Sequence, residues 1–181
     1  MKRATDSHSP TRFKTYRQTH DSVFNKFIDR GFVSDSTLEF CPYPNAFRLA
    51  GEIACLGEIL IQVDKFLDIL EGCNDDAIVC TRWYAYNVSI KNYGNVFRYD
   101  NQDPDYLRDG HLDEHHKHLF DWRLNVECLD SPKWIGESGW LTLGQVIEEA
   151  HDWYWQNQHL LPKPDSYCKL KNRGSFLHSN Y

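Results

Sequence analysis

The sequence has no apolar run of the roughly 20 residues that a membrane-spanning helix needs, and its N-terminus lacks the apolar block of a signal peptide. It contains no glycine-rich phosphate-binding loop, no GxSxG and no HExxH motif, which argues against P-loop, serine-hydrolase and zincin chemistry. Its six cysteines form no CxxC pair, so neither a zinc knuckle nor a disulfide framework is indicated. We therefore expect a cytoplasmic protein without membrane contacts, whose chemistry depends on other side chains.

The composition is that of one globular domain with short extensions. At 181 residues, of which 41% are hydrophobic and 14% aromatic, the chain can bury a core of its own. Residues 1–31 carry seven lysines and arginines against three aspartates, and residues 162–181 carry four against one acidic residue. We expect a basic N-terminal helical extension (1–31), a core (46–158) and a basic C-terminal tail (162–181). Such ends can attract phosphate backbones or an acidic partner, and they are also common as solvated tails.

Two helices are predicted from apolar spacing and capping residues. After Ser9-Pro10, apolar residues recur at helical spacing up to Gly31, which predicts an amphipathic N-terminal helix. Thr142 opens a capping box with Gln145, and an apolar stripe continues to about Gln158. We expect the second of these helices to pack on a sheet.

The strands are predicted from alternation and turn residues, and they indicate an α+β fold. The predicted strands are 46–55, 58–63, 77–91, 95–101 and a further one beginning at His115. A short helix over residues 65–70, capped by Asp64, is expected between two hairpins. We expect a mainly antiparallel sheet of four or five strands, built from the two hairpins and covered by the C-terminal helix.

The second hairpin has one apolar and one polar face. The apolar face carries Tyr84, Tyr86, Val88, Ile90, Phe97 and Tyr99. The polar face carries Asn87, Ser89, Arg98 and Asp100. If Tyr93-Gly94 is a two-residue loop, Ser89 lies opposite Arg98. Asn87 then lies opposite Asp100, so cross-strand hydrogen bonds could hold both charged groups.

Four of the nine histidines are clustered, at His111, His115, His116 and His118. In a strand, His116 and His118 share one face, whereas His115 and Lys117 share the other. A polar loop over residues 101–114 separates the cluster from the second hairpin. Our hypothesis is that this loop returns the histidines to the polar face of the hairpin.

These residue types suit cleavage of RNA without a metal ion. The reaction needs a base for the 2′-hydroxyl, an acid for the leaving 5′-oxygen and a cation for the developing phosphorane. The candidate catalytic residues are Arg98, Asp100, His115, His116 and His118. Candidate substrate-binding residues are Tyr84 and Tyr86, which could stack on a base or donate a hydrogen bond, Asn87 for hydrogen bonding and Lys117 for charge. No cofactor is indicated.

Other interpretations of the same residues stay open. Neutral imidazoles suit zinc, copper or iron, and Asp100, Asp113 or Glu114 could complete a metal site. The histidines could instead form a solvated loop edge or be satisfied by hydrogen bonds. Arg98 and Asp100 could form an ordinary surface ion pair.

The order of motifs resembles the TumE family of toxin components in prokaryotic toxin–antitoxin modules. The motifs are RLAGEIACLGEILIQVDKFLDIL, RWYAYNV, VFRYDN, HHKH and WIGESGWLTLGQVIEEAHDWYW, within residues 46–158. The positions that match are Tyr84, Tyr86, Arg98, Tyr99, Asp100, Asn101, His115, His116 and His118. The resemblance adds Asn101 to the candidate substrate-binding residues and implies a separate antitoxin, often with a helix-turn-helix domain.

The leading hypothesis is therefore a cytoplasmic ribonuclease toxin with RNA as its substrate. One alternative is a non-catalytic module of a defence system that binds nucleic acid or protein through its basic ends. The other is a metal-dependent hydrolase.

Overall fold

The fold is α+β, as the sequence predicts, and its described part has two helices and a large antiparallel sheet. The computed structural model describes residues 9–101, 115–136 and 140–170. The strands are β1 (Thr11–Arg12), β2 (Val33–Ser36), β3 (Glu39–Tyr43), β4 (Ala46–Cys55), β5 (Ile59–Glu71), β6 (Ile78–Ile90), β7 (Asn95–Asn101), β8 (His115–Asp121), β9 (Val126–Glu127) and β10 (Lys133–Trp134). The helices are α1 (Phe13–Asp29) and α2 (Leu143–Asn157), and 3-10 turns lie at Asn74–Asp76 and Gln158–Leu160.

Over the residues that the structure describes, the sheet has ten strands, so the prediction of four or five is wrong. Its main order is β10-β8-β7-β6-β5-β4-β2, while β1 pairs with β6, β3 with β4 and β9 with β8. The additional strands β1, β2, β3, β9 and β10 are two to five residues long. Alternation is not recognisable over so few residues, and pairing with a long neighbour makes these segments strands.

Strand β5 is longer than predicted. Residues 65–70, expected as a short helix, continue the strand to Glu71; β6 pairs along one side, and β4 pairs along the other as far as Asp68. Asp64 is not a helix cap; its two carboxylate oxygens accept hydrogen bonds from Arg48 at 2.8 and 2.7 Å. The helix prediction fails because pairing along both edges of a central strand outweighs the local propensity of six residues.

The sheet has two unlike faces. The helical face is packed against both helices; its core includes Ile61, Val63, Tyr84, Tyr86 and Tyr99 with Phe27 of α1 and Val146, Ile147, Ala150 and Tyr154 of α2. The polar face is the opposite one, and it carries Arg48, Asp64, Asn87, Arg98 and Asp100. Because side chains alternate along a strand, consecutive residues belong to different faces.

Both ends of the described chain contribute to the core. Helix α1 buries three aromatic side chains, Phe13, Tyr16 and Phe27. Near the other end, Leu161 and Cys168 are buried against the sheet. Residues 9–31 and 161–170 are therefore part of the packed structure, and residues 171–181 of the expected basic tail lie outside the described residues.

Helix α2 begins with the predicted capping box. Thr142 Oγ1 accepts a hydrogen bond from the Gln145 backbone N–H at 3.2 Å, and Gln145 Oε1 accepts one from the Thr142 backbone N–H at 2.9 Å. The helix ends at Asn157, one residue before the predicted end. Within the described ranges, neither helix has the length and apolar character needed to cross a membrane.

Candidate functional site

Pairing of β7 with β8 brings the two predicted halves of the site together. His118 lies opposite Arg98, and His116 lies opposite Asp100. Residues opposite each other in a ladder present their side chains on the same face, here the polar face. The return of the histidines to this face is therefore confirmed for His116 and His118.

Arg98 links the two strands through its guanidinium group. Its Nε donates a hydrogen bond to Oδ2 of Asp100 at 2.6 Å, and its Nη2 lies 3.0 Å from Nε2 of His118. The other carboxylate oxygen of Asp100 lies 2.7 Å from Nε2 of His116. A guanidinium group can only donate hydrogen bonds, so Nε2 of His118 is the acceptor.

Glu127 of β9 contacts the other side of the His118 ring. Its Oε1 lies 2.6 Å from Nδ1 of His118 and accepts a hydrogen bond from Ser131 Oγ at 2.6 Å. Because Nε2 accepts from Arg98, the proton of a neutral imidazole lies on Nδ1 and is donated to Glu127. The chain of carboxylate, imidazole and guanidinium thus selects one tautomer of His118.

Both carboxyl groups of the site have lowered pKa values. Burial acts to raise the pKa of Asp100, but the hydrogen bond from His116 and the charge of Arg98 outweigh it. Burial likewise acts to raise the pKa of Glu127, but the hydrogen bonds from Ser131 and His118 hold it below its ordinary value. Both groups are therefore carboxylates at neutral pH, able to balance a cation or to orient an imidazole.

One side of the site is buried and the other faces solvent. His116 is fully buried, with its ring centroid 5.6 Å from that of Trp134 and 4.8 Å from that of His118. The side chains of Arg98 and Glu127 remain 42% and 40% exposed. A ligand arriving from solvent therefore meets Arg98 and Glu127 first, with His118 held between them.

His115 and Lys117, predicted as site residues, lie on the helical face instead. Nδ1 of His115 is 3.1 Å from Oη of Tyr84, and its ring centroid is 4.5 Å from that of Trp140. Nζ of Lys117 donates a hydrogen bond to Glu149 of α2. The sheet separates both side chains from the polar-face site, because alternate residues of β8 point to opposite faces.

The predicted substrate-binding residues are divided in the same way. Tyr84 and Tyr86 are fully buried on the helical face, with ring centroids 5.2 Å apart, so neither can stack on a ligand at the polar face. Asn101 is buried; it accepts from the Tyr84 backbone N–H at 2.7 Å and donates to the Arg82 carbonyl oxygen at 2.9 Å. Asn87 lies on the polar face, where its amide donates to neighbouring side chains.

The predicted register of the second hairpin is wrong. Asn87, rather than Ser89, lies opposite Arg98. Residues 91–94 join the two strands, with Asn92 in the left-handed conformation at φ 65°, and the pairing shifts at a bulge beside the loop. A longer loop and a bulge slide one strand along the other. The polar face is unchanged because the slide is an even number of residues.

Glu127 and Ser131 are site residues that sequence reasoning missed. Glu127 belongs to a two-residue strand that folds back on β8 and pairs with Phe120. Ser131 follows in the turn after this strand. The available signal was a carboxylate nine residues after His118 in a turn-rich segment, which is too common to indicate a site.

Three side chains of the site could also hold a metal ion. The ligand atoms of Asp100, His116 and His118 all lie within 4.8 Å of one another. Two imidazoles and a carboxylate suit Zn²⁺ or Fe²⁺, and Glu127 would orient His118 from behind as carboxylates often do at such sites. Arg98 bridges Asp100 and His118, so a bound cation would have to displace its guanidinium group.

The polar face thus unites Arg98, Asp100, His116 and His118 of the predicted set and adds Glu127 to them. Three other candidates, His111, Asp113 and Glu114, lie outside the described residues. Comparisons with protein-family models, curated proteins and solved structures found no match.

Proposed function

We propose that this chain is the ribonuclease toxin of a toxin–antitoxin module and that it cleaves RNA at the polar face. The observation that carries the proposal is the position of His118 between Glu127 and Arg98, at 2.6 and 3.0 Å. A carboxylate that accepts the Nδ1 proton leaves Nε2 as a base, and a guanidinium group beside it can stabilise a phosphorane. The order of sequence motifs, which resembles that of the TumE family, supports the toxin assignment.

The proposed reaction is transesterification through the 2′-hydroxyl of RNA. Arg98 leaves Nε2 of His118 to bind the scissile phosphate, and Nε2 takes the proton of the 2′-hydroxyl as that oxygen attacks phosphorus. The bond between phosphorus and the 5′-oxygen breaks, and the 5′-oxygen takes a proton from water. The hydroxide so formed takes the proton from Nε2 of His118, and a 2′,3′-cyclic phosphate remains. Asp100 and the buried His116 are positioning residues, because Asp100 accepts a hydrogen bond from Arg98 and His116 contacts Asp100.

Incubation of the purified protein with RNA in excess chelator tests this proposal. We expect products with 2′,3′-cyclic phosphate ends, and a rate that falls by about 10²–10⁴-fold in His118→Ala, the usual contribution of a general base. The control is His159→Ala, which changes an exposed histidine on the 3-10 turn after α2 and should leave the rate unchanged. In bacterial cells, growth arrest should disappear in the His116→Ala/His118→Ala double variant. Toxicity retained by that variant would overturn the proposal.

A metal-dependent hydrolase is the second candidate, favoured by the spacing of Asp100, His116 and His118. A bound metal ion supplies Lewis-acid chemistry and a nucleophilic hydroxide. Metal in the purified protein, together with cleavage that stops in chelator and returns with added metal, would support this candidate. Full cleavage by metal-free protein in chelator would exclude it.

We also propose that a separate antitoxin, with a helix-turn-helix domain, neutralises the chain. The toxin assignment requires such a partner. Co-expression of the protein encoded by an adjacent small gene should relieve the growth arrest. Growth arrest that no neighbouring gene relieves would contradict this part of the proposal.

A further inference from the structure

The polar face carries a second cluster, which we call the aromatic patch: Tyr43, Arg48, Phe66, Arg82 and Trp83. The Phe66 ring centroid lies 5.5 Å from that of Tyr43 and 5.9 Å from that of Trp83, with both pairs edge to face. The guanidinium carbons of Arg48 and Arg82 each lie 5.7 Å from the same centroid. Phe66 is therefore the centre of the patch.

Strand pairing assembles the patch from β3, β4, β5 and β6. Phe66 lies opposite Arg48 on one side and opposite Trp83 on the other. The pairing of β5 with β6 shifts directly after Phe66, which makes Arg82 the extra residue of a bulge. A bulge can redirect a side chain, and here the Arg82 guanidinium lies over the Phe66 ring.

The aromatic patch borders the candidate site. Trp83 lies two residues before Ala85 on β6, and Ala85 lies opposite Asp100. Two residues of a strand span about 7 Å and neighbouring strands lie about 5 Å apart, so the backbones at Trp83 and Asp100 are separated by about 9 Å. Arg98 lies opposite Asn87, four residues along β6 from Trp83, so the same spacings put the backbones of Arg98 and Trp83 about 14 Å apart. A strand of a few nucleotides with one phosphate at Arg98 can therefore place neighbouring bases on the patch.

We propose that the aromatic patch binds the bases of single-stranded RNA beside the cleavage site, an inference that rests on the proposed ribonuclease function. Aromatic rings and guanidinium planes are the groups on which unpaired bases stack. Tyr43 is 57% exposed, and the side chains of Arg48 and Arg82 are 42% and 60% exposed. The patch thus offers planar groups to solvent next to the residues that would cleave the chain.

The charges of the patch indicate stacking rather than attraction to phosphate. Arg48 makes two hydrogen bonds to Asp64, and Arg82 lies 3.4 Å from Asp68. Each arginine is matched by a carboxylate, so the patch is close to neutral. Binding through it should respond weakly to salt, whereas binding through unpaired cations weakens steeply as salt increases. Duplex RNA, whose bases are already stacked and paired, should bind poorly.

The test uses the full chain and a single-stranded 2′-O-methyl oligonucleotide, which lacks the attacking hydroxyl and cannot be cleaved. Fluorescence anisotropy gives Kd for this probe and for an abasic probe of equal length, at raised salt to screen the basic ends. We expect Tyr43→Ala to weaken binding of the first probe by about 5–150-fold, the range for one lost stacked base. Tyr43→Phe should retain the affinity. The matched control is Tyr93→Ala, a tyrosine 50% exposed in the loop after β6.

Two results would overturn the inference: equal binding of the two probes, and unchanged binding by Tyr43→Ala. Absence of binding by the unaltered protein would also overturn it and leave a protein partner as the ligand of the patch. Cleavage is measured separately with unmodified RNA. If Tyr43→Ala weakens binding but the protein does not cleave RNA, the inference is supported and the ribonuclease proposal is refuted. If the protein cleaves RNA but Tyr43→Ala binds normally, only the inference is refuted.

Discussion

His115 and His116 are consecutive residues of β8, yet they lie in opposite environments. His115, on the helical face, contacts Tyr84 and packs on Trp140 within the core. His116, on the polar face, contacts Asp100 at 2.7 Å within a network of charged groups. A step of about 3.3 Å along one strand thus separates core packing from the candidate site.

This difference shows which part of the histidine cluster is available for chemistry. On the helical face, the polar side chains contact core residues or α2: His115 contacts Tyr84, and the half-buried Lys117 donates a hydrogen bond to Glu149. On the polar face, the charged groups contact one another and reach solvent at Arg98 and Glu127. Of the clustered histidines that the structure describes, His116 and His118 therefore belong to the candidate site, and His115 belongs to the core.

The largest expected effect is on RNA cleavage, which should depend on the polar face and not on the helical face. His118→Ala should lower the rate of RNA cleavage per folded molecule by about 10²–10⁴-fold, because it removes the proposed base. His115→Ala should lower the unfolding free energy by about 1–3 kcal/mol, because the hydroxyl group of Tyr84 loses a contact, and leave the rate per folded molecule within a few-fold. Single-turnover cleavage and urea denaturation measure the two quantities. A rate loss in His115→Ala as large as that in His118→Ala would refute the division between faces.

A second prediction compares how much adjacent residues of β6, one on each face, contribute to the unfolding free energy. Tyr86→Ala should lower the unfolding free energy by about 3–5 kcal/mol, the cost of removing a fully buried aromatic ring. Asn87→Ala, on the polar face, should change it by less than about 1 kcal/mol. Urea denaturation of the two variants makes the comparison. Similar losses would show that the polar face carries as much packing energy as the helical face.

Strand alternation was sufficient to predict which residues of the second hairpin share a face. The period of two depends only on the backbone geometry of a strand, so Arg98 and Asp100 could be placed together without a structure. The same rule separates His115 from His116. It could not show which of these histidines would lie near Arg98, because that depends on how β8 pairs with β7.

Pairing between strands accounts for the parts of the fold and site that could not be predicted. Residues 65–70 become a strand because the strands before and after them in sequence, β4 and β6, pair with them. Glu127 reaches His118 only because β9 folds back on β8. In both cases the deciding contact is made between strands, and the local pattern of one segment does not show which other segment pairs with it.

The faces should also differ in how pH affects stability. Burial acts to raise the pKa of Asp100, but His116 and Arg98 hold it below its ordinary value, so Asp100 stabilises the fold above about pH 4. That stability is lost as the pH falls through the lowered pKa. Burial and the neighbouring Glu149 raise the pKa of Tyr99, on the helical face. Its contribution is therefore full below about pH 10 and is lost as the pH rises further.

Melting temperatures measured across pH test this contrast. Asp100→Asn should reduce the drop in Tm between neutral and acidic pH and leave the alkaline limb unchanged. Tyr99→Phe should reduce the drop on the alkaline side and leave the acid limb unchanged. Each variant is the control of the other, and an effect on the opposite limb would contradict the assignment of these groups to separate environments.

The smallest expected effect concerns the cap of α2, the helix that covers the helical face beneath the candidate site. Thr142→Ala removes the side-chain oxygen that accepts from the Gln145 backbone N–H and should lower the unfolding free energy by about 1 kcal/mol, whereas Thr142→Ser should retain the cap. Because α2 packs on the opposite face of the sheet from Arg98, the cleavage rate per folded molecule should stay the same in both variants. A rate that falls together with stability in Thr142→Ala would mean that α2 helps to hold the polar-face network in place. A structural change on the helical face would then alter the arrangement of the charged groups on the polar face.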